Sequence, residues 1–401
     1  MFLLKRLLRR FITVGTLNVI DAEGKAHVFR GSAGPEVTIK LHDAKLYRAL
    51  FFNPELVAGE AYMDGTLTVE NGTIRDFLTL SMINRTGLRS QRFQKVLKSW
   101  MKRLRKLHQR NDVKNAKAHV HHHYDLSNEF YKLFLDADMN YSCAYYSSPE
   151  DTLETAQQNK LRHIASKLDL KPGQRVLDIG CGWGGMALYL AAHADVEVLG
   201  VTLSTEQLKL ARQRAKERGL ESRVKFELID YRDVTGSFDR IVSVGMFEHV
   251  GIAHYDTYFD RIRDLLKPDG IAVVHSIGRK GGPSSTGAWI RKYIFPGGYS
   301  PALSEATASV ERTKMWITDI EILRLHYAKT LRAWETRFQI NRGVIATMMD
   351  ERFCRMWEFY LIASELVFSH GGHMNFQLQI TKNVDTLPIT RDYLNAAEKA
   401  L

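Results

Sequence analysis

The sequence predicts an α/β protein in which a doubly wound, Rossmann-like domain follows a smaller α+β domain. Three observations carry that prediction. The apolar run Arg175-Val-Leu-Asp-Ile179 breaks at once into four glycines, Gly180, Gly182, Gly184 and Gly185. Beyond them, short apolar runs alternate with helix-patterned spacers as far as Gly278. The net charge of +11 resides in the first 110 residues, where 20 Lys+Arg stand against 9 Asp+Glu, leaving 36 of each for the rest. A neutral body with a basic N-terminal portion points to an anionic partner, phospholipid headgroups or nucleic acid.

From the N-terminus, Leu4, Leu7, Leu8 and Phe11 share one helical face flanked by Lys5, Arg6, Arg9 and Arg10. An interfacial helix is written this way, and so is an amphipathic helix packed on its own domain. The segment is too short to span a bilayer, and its basic residues interrupt the apolar run instead of preceding it as in a signal peptide. From Leu17 to Thr68 the pattern is short and β-like with glycine punctuation, as in Val37-Thr-Ile-Lys40, which predicts a small sheet. Residues 74–110 turn helical, and from 92 to 110 basic residues interleave with Phe93, Trp100 and Leu104 as a second basic amphipathic segment. Apolar periodicity fades near 108–118, which divides the chain into a basic membrane- or lipid-binding domain, 1–110, and a catalytic domain, 111–401. With 401 residues, 45% of them apolar, one large and one smaller core can be buried. Cys143, Cys181 and Cys354 are too few and scattered for a disulfide framework or a metal-spaced pair, which fits a reducing compartment. Adjacent side chains of His119-Val-His-His-His123 diverge, so no metal is expected there, only a helix entry that closes over a cofactor.

Strands are predicted at 175–180, 196–204, 224–230, 238–245 and 270–278, the makings of a parallel sheet whose ligands bind beyond the strands' carboxyl ends. Gly180, Thr202, Asp230, Glu248 and His275 fall at or just past those ends. Residues 279–318 interrupt the alternation with Gly281-Gly-Pro and an aromatic stretch from Trp289 to Tyr299, and read as a substrate-pocket insertion. Gly180, Gly182 and Gly185 satisfy G-x-G-x-x-G, which dehydrogenases and methyltransferases share. A nicotinamide enzyme needs an acid at the end of the second strand, but Val198-Leu-Gly-Val-Thr-Leu-Ser204 ends in hydroxyls. No Gly-Lys-Ser or Gly-Lys-Thr closes a phosphate cradle, and Asp178 would repel phosphates. S-adenosylmethionine, a sulfonium without phosphate, tolerates that acid.

Further motifs run through the chain in order: His122-His-Tyr-Asp-Leu-Ser-Asn128, Tyr141-Ser-Cys-Ala-Tyr145, Leu177-Asp-Ile-Gly-Cys-Gly-Trp-Gly184, Gly200-Val-Thr-Leu-Ser204, Asp239-Arg-Ile-Val-Ser-Val-Gly-Met-Phe-Glu-His249, His275-Ser-Ile277 and His326-Tyr-Ala-Lys-Thr-Leu331. On these residues the chain resembles the cyclopropane-fatty-acyl-phospholipid synthases and, in its C-terminal part, the mycolic acid cyclopropane synthases. The match extends over residues 119 to about 370 and, less specifically, to Gly59-Glu-Ala-Tyr-Met-Asp-Gly65 in the family's membrane-facing domain. The resemblance implies methyl transfer from S-adenosylmethionine to a cis double bond of an unsaturated phospholipid acyl chain, then loss of a proton and ring closure. It implies bicarbonate as the base, held by Cys143 and its backbone, Glu248, His275, the backbone of Ile277, and Tyr327. For S-adenosylmethionine it implies Tyr141, Ser142, Gly180, Gly182, Thr202, Gln207 and Tyr231, with Asp178 organising the loop. It also implies a homodimer, peripheral on the cytoplasmic membrane's inner face. Tyr141, Tyr145, Tyr146, Trp289, Tyr293, Phe295 and Tyr327 are available to shelter a cation.

Read singly, His275 is also explained as a satisfied interior histidine and Glu248 as a helix cap. The nearest rival keeps fold and cofactor but leaves a methylated alkene, on the path to branched or furan fatty acids; Ser276 and the glycine-rich 278–287 leave the product open. Base modification of nucleic acid would call for an Asn-Pro-Pro-aromatic or catalytic cysteine motif, and neither is present, so no nucleic-acid partner is expected.

Overall fold

The computed structural model describes residues 1–85 and 127–400. The basic segment 92–110, the histidine run 119–123 and the predicted boundary at 108–118 lie outside the described residues. The chain forms two compact units, and they are not the continuous halves the sequence suggests. One gathers the described residues up to 85 with Ser285–Pro296 and Leu331–Gly372; the other takes the remainder.

The first unit contains a four-stranded sheet, order β2-β1-β3-β4, from β1 (Val14–Ile20), β2 (Ala26–Arg30), β3 (Ser32–Leu41) and β4 (Leu67–Asn71). Asp21 closes the β1–β2 hairpin by accepting the N–H groups of Glu23 and Lys25 at 3.1 and 2.9 Å. The helix Phe2–Phe11 buries Leu4, Leu7 and Phe11, so its apolar face packs inside this unit, and Phe2 and Leu3 are left exposed. The β-like reading of 17–68 holds at its two ends only. Helices Lys45–Phe52 and Pro54–Met63 fill the middle, the second opened by a proline at its first turn. Gly59 lies inside that second helix, where a Cβ would come within 2.4 Å of the Trp289 ring. Helix Ile74–Ile83 begins with a capping box between Thr73 and Asp76, as the helical pattern from residue 74 predicts.

The 279–318 segment is divided between the two units. Its aromatic part, with helix Ala288–Tyr293, belongs to the first unit, where Trp289 is buried against Phe359, and Lys292 and Tyr293 bond Glu60. The rest returns to the second unit as helix Leu303–Arg312 and the start of an edge strand.

In the second unit the seven-stranded sheet runs β10-β11-β9-β8-β5-β6-β7. The five predicted strands are β5 (Gln174–Ile179), β6 (Val196–Thr202), β7 (Val224–Leu228), β8 (Phe238–Val244) and β9 (Leu266–Arg279), all paired in parallel. Two further strands, β10 (Trp316–Leu323) and β11 (His373–Thr381), add an antiparallel edge beside β9. Strand alternation sends Leu177, Ile179, Ile241 and Val274 into one core and Val176, Val242 and Val273 into the other. Strand order reverses at β5, between β6 and β8, and the crevice that such a switch opens is where α/β sheets take ligands.

Candidate active site

A cleft opens past the carboxyl ends of β5, β6, β7 and β8. Its lining includes Tyr141, Ser142, Asp178, Gly180, Gly182, Thr202, Gln207 and Tyr231, all eight of the residues expected at a cofactor. The chain turns out of β5 through the glycine loop, where Gly182 has φ +55° and a Cβ would point into space free of protein atoms within 4 Å. Gly180 and Cys181 donate their N–H groups to the Val201 carbonyl at 2.9 and 3.0 Å, tying the loop to β6. Thr202 donates to Gln207 Oε1 at 2.9 Å, and Ser204 caps the helix Thr205–Glu217 that carries Gln207. Tyr231 follows Asp230, whose carboxylate clamps the Arg232 guanidinium at 2.8 and 2.6 Å.

The opposite wall, Met139 to Ser142, is held from behind by residues the sequence reading missed. Asn140 bonds Asp136 through backbone and side chain, each at 2.8 Å. Gln157 Nε2 donates to the carbonyls of Asn140 and Ser142 at 3.2 and 3.0 Å. Lys160, 1% exposed, donates to Asn140 Oδ1 and Ser142 Oγ at 3.1 and 3.0 Å. A signal existed: Lys160 occupies the stripe of Leu153, Ala156 and Ile164 on helix Leu153–Lys167, where an apolar residue is the norm. Burial lowers Lys160 to about 8 and raises Asp178 to about 7. Asp178 Oδ2 is buried without a protein hydrogen bond.

The five residues expected at a base are distributed over neighbouring segments. Glu248 lies in the short turn Phe247–His249 after β8, between Met246 and His249, which line the cleft. Its Oε1 accepts the Ile277 N–H at 2.5 Å, so the backbone donor expected for an anion serves this carboxyl. Its Oε2 is buried without a protein hydrogen bond. Burial pushes the Glu248 carboxyl up to about 7, outweighing the pull of the Ile277 amide and, more weakly, of the Ser276 hydroxyl. His275 is not at a strand end as expected. Its parallel ladder with β8 stops at Val244, but β11 pairs with β9 as far as Arg279. Burial lowers His275 to about 3, which keeps the imidazole neutral. The Cys143 thiol is buried, donates to the Ala144 carbonyl at 3.3 Å and is pushed well up by burial, so it stays protonated. Tyr327 is buried in the first turn of helix His326–Ile340, which is tied to the Cys143 segment by Thr330 Oγ1 accepting the Ala144 N–H at 3.1 Å. Between these ties, Tyr145 stacks on His163 and His326 with centroids 4.2 and 4.8 Å apart. The structure thus joins Glu248 to Ile277, and the Cys143 segment to the helix of Tyr327. Among the described residues no helix is long and apolar enough to cross a membrane, and no His/Cys/Asp/Glu group is arranged to hold a metal ion.

Residues 108–378 match the family described as mycolic acid cyclopropane synthetase. The cyclopropane-fatty-acyl-phospholipid synthase of Escherichia coli K12 is 41% identical over 358 residues, 88% of this chain and 90% of that protein. The tuberculostearic acid methyltransferase UfaA1 of Mycobacterium tuberculosis is 35% identical over 380 residues, 91% of this chain and 88% of that protein. Among solved structures, mycolic acid cyclopropane synthase CmaA1, complexed with SAH and CTAB, superposes with a TM-score of 0.63 at 33% identity, covering 66% of this chain and 97% of that one. The glycine loop, the strand order and these likenesses agree: the chain is an S-adenosylmethionine-dependent methyltransferase and belongs to the mycolic acid cyclopropane synthetase family.

Proposed function

We propose that this chain converts a cis double bond of an unsaturated phospholipid acyl chain into a cyclopropane ring. Bound S-adenosylmethionine supplies an electrophilic methyl group, and bound bicarbonate supplies a base for the proton that ring closure releases. The residues of the cleft fit the first group. Gly182 leaves backbone open to a ligand, Asp178 Oδ2 awaits a donor such as an ammonium, and a sulfonium does not clash with that carboxylate. Tyr141, Ser142, Thr202, Gln207 and Tyr231 would orient it, and orientation matters because an alkene is a poor nucleophile.

Glu248 carries the reading. A dry carboxyl that titrates near neutrality, with Oε2 uncommitted, can either donate to or accept from a small protonated oxyanion. Neutral His275, the Tyr327 phenol and the Cys143 thiol would complete such a site without adding negative charge. The E. coli relative, matched over nine-tenths of its length, acts by its name on phospholipid acyl chains. A second reading, C-methylation without ring closure, is favoured by the likeness to a tuberculostearic acid methyltransferase over 91% of the chain. Mass spectrometry of phospholipid fatty acids after expression separates them. Both products gain one CH2, but only the cyclopropane withstands hydrogenation.

The enzyme would work as a homodimer, peripheral on the anionic inner face of the cytoplasmic membrane. Exposed Phe2, 77% accessible, and Leu3 beside Arg6, Arg9 and Arg10 support that surface role.

A further inference from the structure

Strand β11 reads Met374-Asn-Phe-Gln-Leu-Gln-Ile380, and both of its faces are buried. Met374, Phe376, Leu378 and Ile380 enter the core, which leaves three carboxamides, Asn375, Gln377 and Gln379, enclosed on the other face. Enclosed amides are costly unless they are bonded. Gln379 is accounted for by the Lys167 carbonyl and the Tyr393 hydroxyl, each at 2.7 Å. The other two share one partner. Gln377 Nε2 lies 3.1 Å from His275 Nδ1, and Asn375 Nδ2 lies 3.4 Å from His275 Nε2.

A neutral imidazole has one lone pair and one N–H, so it accepts from one neighbour and donates to the other. It cannot take an N–H from both amides. The shorter contact is the one to Nδ1. We propose that Gln377 is a positioning residue whose carboxamide N–H fills the Nδ1 lone pair and fixes the His275 proton on Nε2. Asn375 then turns its oxygen toward Nε2–H, as amide groups are free to do. The consequence is directional: His275 presents a donor at Nε2, the polarity an oxyanion requires, and Asn375 supplies the alternative acceptor for that proton. Burial keeps the ring neutral, with Lys160 and Lys167 acting in the same sense, so no second proton blurs the choice.

This inference rests on the proposed role of His275, but the tautomer belongs to the chain itself and is measured without turnover. Long-range ¹H–¹⁵N correlation on full-length protein with ¹⁵N-histidine, assigned by loss of the signal in His275→Gln, should show Nε2 protonated and Nδ1 bare at neutral pH. In Gln377→Glu the carboxylate accepts instead, the proton moves to Nδ1, and turnover falls at least tenfold while S-adenosylmethionine affinity holds. Gln377→Met, which keeps the volume and drops the donor, should give a mixture of tautomers. An Nδ1–H tautomer in the unmodified protein overturns the inference, whatever the Gln377 variants do. A tautomer that moves in Gln377→Glu with turnover unchanged upholds Gln377's part and overturns that of His275 in the reaction.

Discussion

The cleft beneath the glycine loop and the cluster around Glu248 and His275 lie on the same sheet, yet they are built differently. The cleft is largely a backbone site. Gly180 and Gly182 shape it, and the side chains that join them, such as Thr202 and Gln207, come from the adjacent strand and the helix after it. The proposed base site would be made of side chains carried on β9, the turn after β8, the Cys143 segment and helix His326–Ile340, with β11 bonded to His275. A backbone site is sensitive to added atoms. A dry side-chain site is sensitive to a single proton.

Gly182→Val tests the first half with the largest expected effect. Its φ of +55° suits glycine, and the added bulk would enter the space where a ligand meets the main chain. Calorimetric titration should detect no S-adenosylmethionine binding in a protein that still folds; unchanged affinity would detach the loop from the cofactor.

Glu248→Gln sharpens the contrast. Turnover should drop by roughly a hundredfold or more, the lower end of acid–base contributions, with cofactor affinity unaltered. Bicarbonate added to degassed wild-type enzyme should restore activity, and indifference to it would remove bicarbonate from the reaction. The same variant has a signature in stability. The Glu248 carboxyl rises from its ordinary 4.5 to about 7 on folding. The protonated form therefore stabilises the fold fully below pH 4.5, and that contribution is lost as pH rises through 7. Glu248→Gln, neutral throughout, should match wild type in acid and exceed it above neutrality by on the order of a few kcal/mol. Denaturant melts at several pH values measure this, and parallel curves would show that the carboxyl is not held protonated.

Legibility follows the same division. The five parallel strands are legible as apolar runs separated by helix-patterned spacers, and the cleft-lining Gly180 and Thr202 because they fall at strand ends. Strand β11 is not legible because one of its two buried faces carries amides, and amides are satisfied only by partners distant in sequence, such as His275 and Lys167. Lys160 was missed for the same reason: a lysine on an apolar stripe looks like surface until Asn140 and Ser142 fold over it. In the N-terminal unit, nothing local to Gly59 reveals that Trp289, 230 positions later, will press on it.

That last contact yields an intermediate effect. A methyl group at 59 would sit 2.4 Å from the Trp289 ring, with Phe359 against the same indole. Gly59→Ala should destabilise the protein by about 1–3 kcal/mol through overpacking, against the small gain an alanine brings to a helix interior. A denaturation midpoint equal to or above wild type would mean that the indole moves aside. S-adenosylmethionine affinity should not change, since the cleft belongs to the other unit.

The smallest effect is expected where neither backbone nor buried proton is involved, on the basic surface of the first helix. Deleting residues 1–12 is a poor test, because Leu4, Leu7 and Phe11 belong to the core and their loss would damage the fold. Charge alone is cleaner. Arg9 and Arg10 are exposed in the last turn of helix Phe2–Phe11, close to Phe2 and Leu3 in sequence. Basic residues near an anionic bilayer contribute about 1 kcal/mol each, an attraction that salt screens over roughly 10 Å. The same charges also favour the helix C-terminus by about 0.3–1 kcal/mol each, so reversal would cost some helix stability as well. A graded series separates the two contributions. Changing Arg9 and Arg10 together to Gln, then to Glu, should weaken binding to anionic vesicles several-fold and then further at low salt, with the differences vanishing at high salt. Activity on bilayer lipid should fall in step while S-adenosylmethionine affinity stays level. Equal co-sedimentation of all three proteins at low salt would assign these arginines to the helix alone and move membrane attraction elsewhere in the chain.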